Sequence, residues 1–143
     1  MKRYRTHILS VLFICFFFPT LLYATTENPV SIKKLKVEYA EMPLGIDVEK
    51  PRFSWQMVVP DTERGYSQKA YQIIVTDEMG SLAWDSGKVS SDLSLNIEYA
   101  GTPLQPATCY FWTVNVWNQR GEQSSETSWF ETGLMSKTSP YEG

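Results

Sequence analysis

Apolar and polar residues alternate along much of this chain with a period of two, the spacing that sends successive side chains to opposite faces of a β-strand. The pattern is sharpest over 110–117, where Tyr110, Trp112, Val114 and Val116 alternate with Phe111, Thr113, Asn115 and Trp117. Residues 52–57 repeat it, with Phe53, Trp55 and Met57 on one face and Arg52, Ser54 and Gln56 on the other. A first strand is predicted over 32–39, from Leu35, Val37 and Tyr39 set against Lys34, Lys36 and Glu38. Further strands are predicted over 71–76, 82–85, 93–99 and 127–132. Turn chemistry separates them, at Pro43-Leu-Gly-Ile-Asp47, Asp77-Glu-Met-Gly80, Gly87 with Ser90-Ser-Asp92, Gly101 with Pro103, and Asn118-Gln-Arg-Gly121. No segment carries a convincing helical period, and no internal repeat is present. Seven short strands with turn signals about every 8–12 residues predict an all-β Greek-key sandwich over 32–134.

The approach to the longest strand narrows the class. Leu104-Gln-Pro-Ala-Thr-Cys-Tyr110 resembles the tyrosine corner of immunoglobulin-like and fibronectin type III-like sandwiches, whose hydroxyl bonds to backbone a few residues upstream. Tyr110 is therefore expected to be structural, as are Trp55 and Trp112, which share faces with evident core residues. Phe111 and Trp117 fall on the face opposite Tyr110 and Trp112, where a free-standing sandwich would show polar groups. They are expected to mark one apolar outer patch. Such a patch is a candidate interface with another module or, because flat rings cover the apolar faces of sugars, a candidate sugar contact.

The amino terminus is set apart from the fold. Lys2, Arg3 and Arg5 precede an apolar run over 8–22, and Ala24 supplies a small residue before Thr25. This is the layout of a secretory signal peptide over 1–24. Pro19 interrupts the run and Cys15 lacks the small residue before it that a lipoprotein site needs, so membrane contact is expected only during export. A secreted or periplasmic protein follows, with an exposed lead over 25–31 and a polar, linker-like tail over 135–143. Loss of the three basic residues takes the net charge from −3 to −6. An acidic domain without a basic stripe is a poor partner for nucleic acid. The 119 residues that remain suit one domain, which can bury about 65% of its unfolded surface.

Processing also removes chemistry. His7, the single histidine, leaves with the signal peptide, so no Ser-His-Asp, Cys-His or histidine-metal constellation is expected. Cys109 becomes the sole cysteine, unable to form an intramolecular disulfide and expected to be inert. Asp61, Glu63, Asp77, Glu78, Asp85 and Asp92 sit mostly at predicted turns, where carboxylates cap backbone amides. An inverting glycosidase instead needs two carboxyl groups about 6.5–9.5 Å apart around a sugar-sized cleft. No catalytic residue, metal ligand or cofactor is expected in this chain.

Six motifs in one order carry a resemblance. Pro43-Leu-Gly-Ile-Asp47, Pro51-Arg-Phe-Ser-Trp55, Gln68-x-Ala-Tyr-Gln-Ile-x-Val75, Trp84-Asp-Ser-Gly-Lys-Val89, Tyr110-x-Trp-x-Val-x-Val-Trp117 and Trp129-Phe-Glu-Thr-Gly-Leu134 together resemble the N-terminal sandwich module of bacterial α-L-rhamnosidases, glycoside hydrolase family 78. The resemblance implies an exported multidomain enzyme that removes terminal L-rhamnose by inversion, with its acid and base on a downstream (α/α)-barrel. That barrel lies outside these residues, and the chain is expected to stop in the linker before it. The role implied is support and docking of downstream domains of the same polypeptide. The other reading left open is a free-standing secreted carbohydrate-binding or adhesion module that takes rhamnose-containing glycans.

Overall fold

The computed structural model describes residues 29–135; the predicted signal peptide, residues 25–28 of the lead and residues 136–143 of the tail lie outside them. Eight strands form: β1 (Ser31–Val37), β2 (Arg52–Val58), β3 (Gln68–Asp77), β4 (Leu82–Asp85), β5 (Val89–Ser90), β6 (Ile97–Glu98), β7 (Cys109–Asn118) and β8 (Gln123–Glu131). One sheet has the order β1-β2-β6 and the other β4-β3-β7-β8, with β5 added beside β3. The chain therefore changes sheet between β2 and β3, β5 and β6, and β6 and β7, the crossovers of a Greek key.

The two inner faces meet in one core. Phe53 and Trp55 of β2 pack against Tyr71, Ile73 and Val75 of β3, Tyr110, Trp112, Val114 and Val116 of β7, and Phe130 of β8. Phe53 is the hub: its ring lies 4.8 Å from Trp112, 5.9 Å from Trp84 and 6.0 Å from Phe130. Tilted and edge-on contacts of this kind place positive ring edges on negative ring faces and add about 0.5–1.5 kcal/mol each to simple burial. One polar group is built into the core beside them. Gln68 accepts the Trp55 indole N–H at 3.0 Å and donates to the carbonyls of Ser91 and Leu93 at 3.1 and 2.7 Å.

The corner expected at Tyr110 forms. The Gln105 amide donates to the buried Tyr110 hydroxyl at 2.8 Å, pinning the 99–108 crossover to β7. Tyr110→Phe is expected to leave that amide unpaired and cost about 1–3 kcal/mol. Urea melts should show a lower midpoint at unchanged slope. An unmoved midpoint would mean that the corner bond contributes nothing.

Four sequence expectations need correction. There are eight strands rather than seven, because β5 pairs Ser90 with Ala70 and Val89 with Tyr71 over only two residues, too short to leave a periodic signal. The strand expected over 93–99 shrinks to Ile97–Glu98. Gln68 and the Trp55 amide, which bonds Ser94 O at 3.0 Å, capture the 91–94 backbone, and Asn96 adopts a left-handed φ of 57°, so Leu93 and Leu95 stay outside. Strand β1 ends at Val37 rather than Tyr39, and its register with β2 shifts between Lys33 and Lys36 around Lys34 at φ 50°. That bulge lets Ile32 and Leu35, three residues apart, both face the core. Finally, the lead expected to be exposed through residue 31 is already inside the fold at its end: Val30 is buried, Ser124 donates to its carbonyl at 2.7 Å, and Ser31 opens β1.

Candidate functional site

The outer face of the β4-β3-β7-β8 sheet carries Phe111 and Trp117, but it does not bring them together. Six residues of strand separate them, about 20 Å. The gap is filled by hydrogen-bonded polar side chains: Thr113 and Thr127 share a hydroxyl contact at 2.8 Å, Asn115 donates to Gln72 at 3.4 Å, and Gln123 donates to Asn115 at 3.1 Å. Trp117 is half-buried, with the Lys88 ammonium 4.1 Å from its ring centroid. The single apolar patch expected from the sequence is thus two spots. Period-two spacing assigns residues to a face, but it does not say what occupies the space between them. Phe111 remains 44% exposed. It continues a cross-strand row in which Leu82, Thr76, Phe111 and Trp129 stand in register at one end of the sheet.

Two of the six candidate carboxylates, Asp77 and Asp85, are tied into turns. Asp77 Oδ1 accepts the amides of Met79 and Ser81 at 2.9 and 2.8 Å. Asp85 Oδ1 accepts from the Gln72 side chain and the Gly87 amide, both at 2.8 Å, and these two bonds in that order hold its carboxyl below the usual carboxylate range. A general acid for glycoside cleavage needs the opposite shift. An open cleft of about 530 Å³ has Tyr99, Gly101, Pro103, Leu104 and Met135 in its lining. Among the described residues Glu49 is the one carboxylate lining it, where an inverting pair needs two. Burial, and then Glu78 and Glu131, push the Cys109 thiol above its ordinary value, away from nucleophilic thiolate. Among the described residues no cluster of His, Cys, Asp or Glu could hold a metal ion.

The same end of the sandwich contains a feature that the sequence did not reveal. Residues 43–47 run beside residues 131–135 as the chain leaves β8, joined by a parallel bridge between Ile46 and Thr132. Glu131 N–H bonds Pro43 O at 3.0 Å, Ile46 N–H bonds Glu131 O at 2.9 Å, and Gly133 N–H bonds Ile46 O at 2.8 Å. Asp47 Oδ1 then accepts the Met135 amide at 2.8 Å. From the other side, the crossover grips the same segment: the Thr108 amide donates to Thr132 Oγ1 at 3.0 Å, Thr132 Oγ1 donates to Gln105 O at 2.6 Å, and Ala107 N–H bonds Gly133 O at 2.8 Å. The exit segment is clasped between the 43–47 loop, whose Ile46 is buried in the core, and the crossover that Tyr110 pins.

Pro43-Leu-Gly-Ile-Asp47 reads as a turn in the sequence because a single chain segment does not show its partner. The one available signal was Gly133. A Cβ placed there would lie 2.5 Å from Asp47 Oδ1, so a larger residue would push that carboxylate away from the place where it meets Met135. Thr132, 1% exposed, spends its hydroxyl on the clasp.

Comparison with known proteins agrees with this architecture. An α-L-rhamnosidase of Streptomyces avermitilis is 49% identical to this chain over 105 residues, 69% of this chain and 10% of the relative. One from Formosa agariphila is 34% identical over 140 residues, 90% of this chain and 15% of the relative. Among solved structures, the Streptomyces avermitilis α-L-rhamnosidase complexed with L-rhamnose superposes with a TM-score of 0.68 at 44% identity, covering 74% of this chain and 11% of that one. The α-L-rhamnosidase from Dictyoglumus thermophilum gives 0.66 at 37% identity, covering 75% and 13%. The chain thus spans 10–15% of the length of these relatives. Residues 32–136, the sandwich with its clasped exit, match the family described as Rha78A-like, N-terminal immunoglobulin domain, and it is to this family that the chain belongs.

Proposed function

We propose that this chain is the non-catalytic N-terminal module of an exported α-L-rhamnosidase, a glycoside hydrolase acting on terminal L-rhamnose, and that its task is to support and orient the domains that follow it. The observation that carries the orienting role is the clasp on residues 131–135, which fixes the direction of the outgoing backbone. A module whose only task was to bind sugar on its sheet would need no such grip on its exit. The relatives' names supply the reaction, and the motif order supports the same placement. Two of the carboxylates considered as acid or base, Asp77 and Asp85, cap turns instead.

The purified chain is expected to release no aryl alcohol from an aryl α-L-rhamnoside. The same residues exchanged for the matching segment of the Streptomyces avermitilis enzyme should leave that enzyme active. Turnover by the short chain, abolished by Asp85→Asn without unfolding, would overturn the non-catalytic reading. Saturable quenching of Trp117 fluorescence by L-rhamnose would favour a binding module instead. Export is checked by the mass of the secreted or periplasmic product, which should begin at Thr25.

A further inference from the structure

Eleven large hydrophobic side chains of the described residues are exposed, and they are not scattered. Tyr39, Met42, Leu44 and Val48 belong to the β1–β2 connection, Met79 and Leu82 to the β3–β4 turn and the start of β4, Phe111 to the first row of β7, and Leu134 to the exit. Tyr39 lies beside Leu95 on the outer face of β2 and Met42 lies along the β1–β8 side, whereas antiparallel pairing brings the other six, Leu44, Val48, Met79, Leu82, Phe111 and Leu134, to one pole, because β1, β3 and β8 end there and β2, β4 and β7 begin there. It is the pole at which the chain leaves the fold. Single exposed apolar residues are ordinary on a protein surface, but a contiguous group rimmed by charge marks an interface.

We infer that this exit pole is the docking surface for the domain that follows Met135 in the same polypeptide, with Leu44, Val48 and Leu134 at the centre of the contact. The inference rests on the proposed function above. Leu44 and Val48 flank the strand-like segment paired with residues 131–133, and Leu134 directly follows it, 69% exposed for Leu44 and 75% for Leu134. Because the clasp holds the backbone as far as Met135, whatever follows emerges beside these side chains at high effective concentration. A second copy of this chain suits the surface poorly. Its rim carries more exposed acid than base, with Asp47, Glu49 and Glu78 against Lys50, so two identical poles would bring like charges face to face. The partner surface that fits has an apolar centre and a basic rim.

The test uses the Streptomyces avermitilis α-L-rhamnosidase carrying this sandwich in place of its matching segment. Limited proteolysis at the junction after Met135 is followed beside rhamnosidase activity. The paired change Leu44→Ser with Leu134→Ser should speed junction cleavage about a hundredfold, roughly tenfold for each leucine withdrawn from a buried contact. Leu93→Ser with Leu95→Ser is the control, since these residues are similarly exposed at 61% and 64% but lie along the β6 edge, and cleavage should not change. Equal cleavage of both paired variants in an active chimera would overturn the docking surface while leaving the rhamnosidase reading intact. A chimera that is inactive or unfolded although this module folds would contradict that reading and remove the partner named here. Self-association of this chain, lost in the Leu44/Leu134 pair, would assign the pole to a second copy and overturn the proposal.

Discussion

Phe53→Ala is expected to cost about 3–5 kcal/mol, the largest single effect in this domain. The ring is fully buried and touches three other aromatic rings from β4, β7 and β8, so truncation opens a cavity between the two sheets. Those neighbours are themselves held by strands and cannot collapse into the space, which is the condition under which the cavity cost adds fully to the lost burial. Domains of this size are stable by only about 5–15 kcal/mol, and each kcal/mol moves the melting temperature by about 4–8 °C. Calorimetry should therefore record a fall of roughly 15 °C or more. A fall of only a few degrees would mean that Phe53 is not the packing hub described.

Gln68→Leu should rank second, at about 2–4 kcal/mol, although it places a hydrophobic residue in a buried position. The side chain satisfies the indole N–H of Trp55 and the carbonyls of Ser91 and Leu93 at once, and leucine satisfies none of them. An orphaned buried donor costs about 1–3 kcal/mol, and the two carbonyls, nearer the surface, recover part of their loss from water. The change should also free the 91–96 segment locally. Denaturant melts give the global cost, and faster proteolysis between Ser91 and Asn96 gives the local one. Full stability in Gln68→Leu would show that burial outweighs the three bonds and that this polar hub is dispensable.

What was legible in the sequence is what side-chain periodicity and turn residues encode locally. The alternation over 52–57 and 110–117 located β2 and β7 because each has one face in the core and one outside, and Tyr110 was readable because its corner partner is only five residues away. Strand β8 was legible only in its second half. Its first residues, Gln123 to Glu126, are all polar, Ser124 turning to the Val30 carbonyl, so they pair through backbone with Trp117 to Val114 and leave no apolar signal. The 93–99 alternation misled for the opposite reason: its leucines have the right spacing, but the Trp55 amide of β2 and the Gln68 side chain of β3 had claimed the backbone. The candidate interface divides in the same way. Phe111 was found by its face, whereas the clasp joins Asp47 to Met135 across 88 positions and has no local signature beyond Gly133.

If this sandwich holds the outgoing chain in a fixed direction, hydrogen exchange at the Met135 amide will show it. In the unaltered protein the Met135 amide, bonded to the Asp47 carboxylate, should exchange far more slowly than an open backbone amide, with Gly133 and Thr132 slower still because they are held by backbone partners. Asp47→Ala should abolish protection at Met135 while leaving Thr132, Trp112 and the unfolding midpoint nearly unchanged, since the lost acceptor lies at an exposed position. Exchange at Met135 as fast as in an unstructured peptide, before any substitution, would contradict the account.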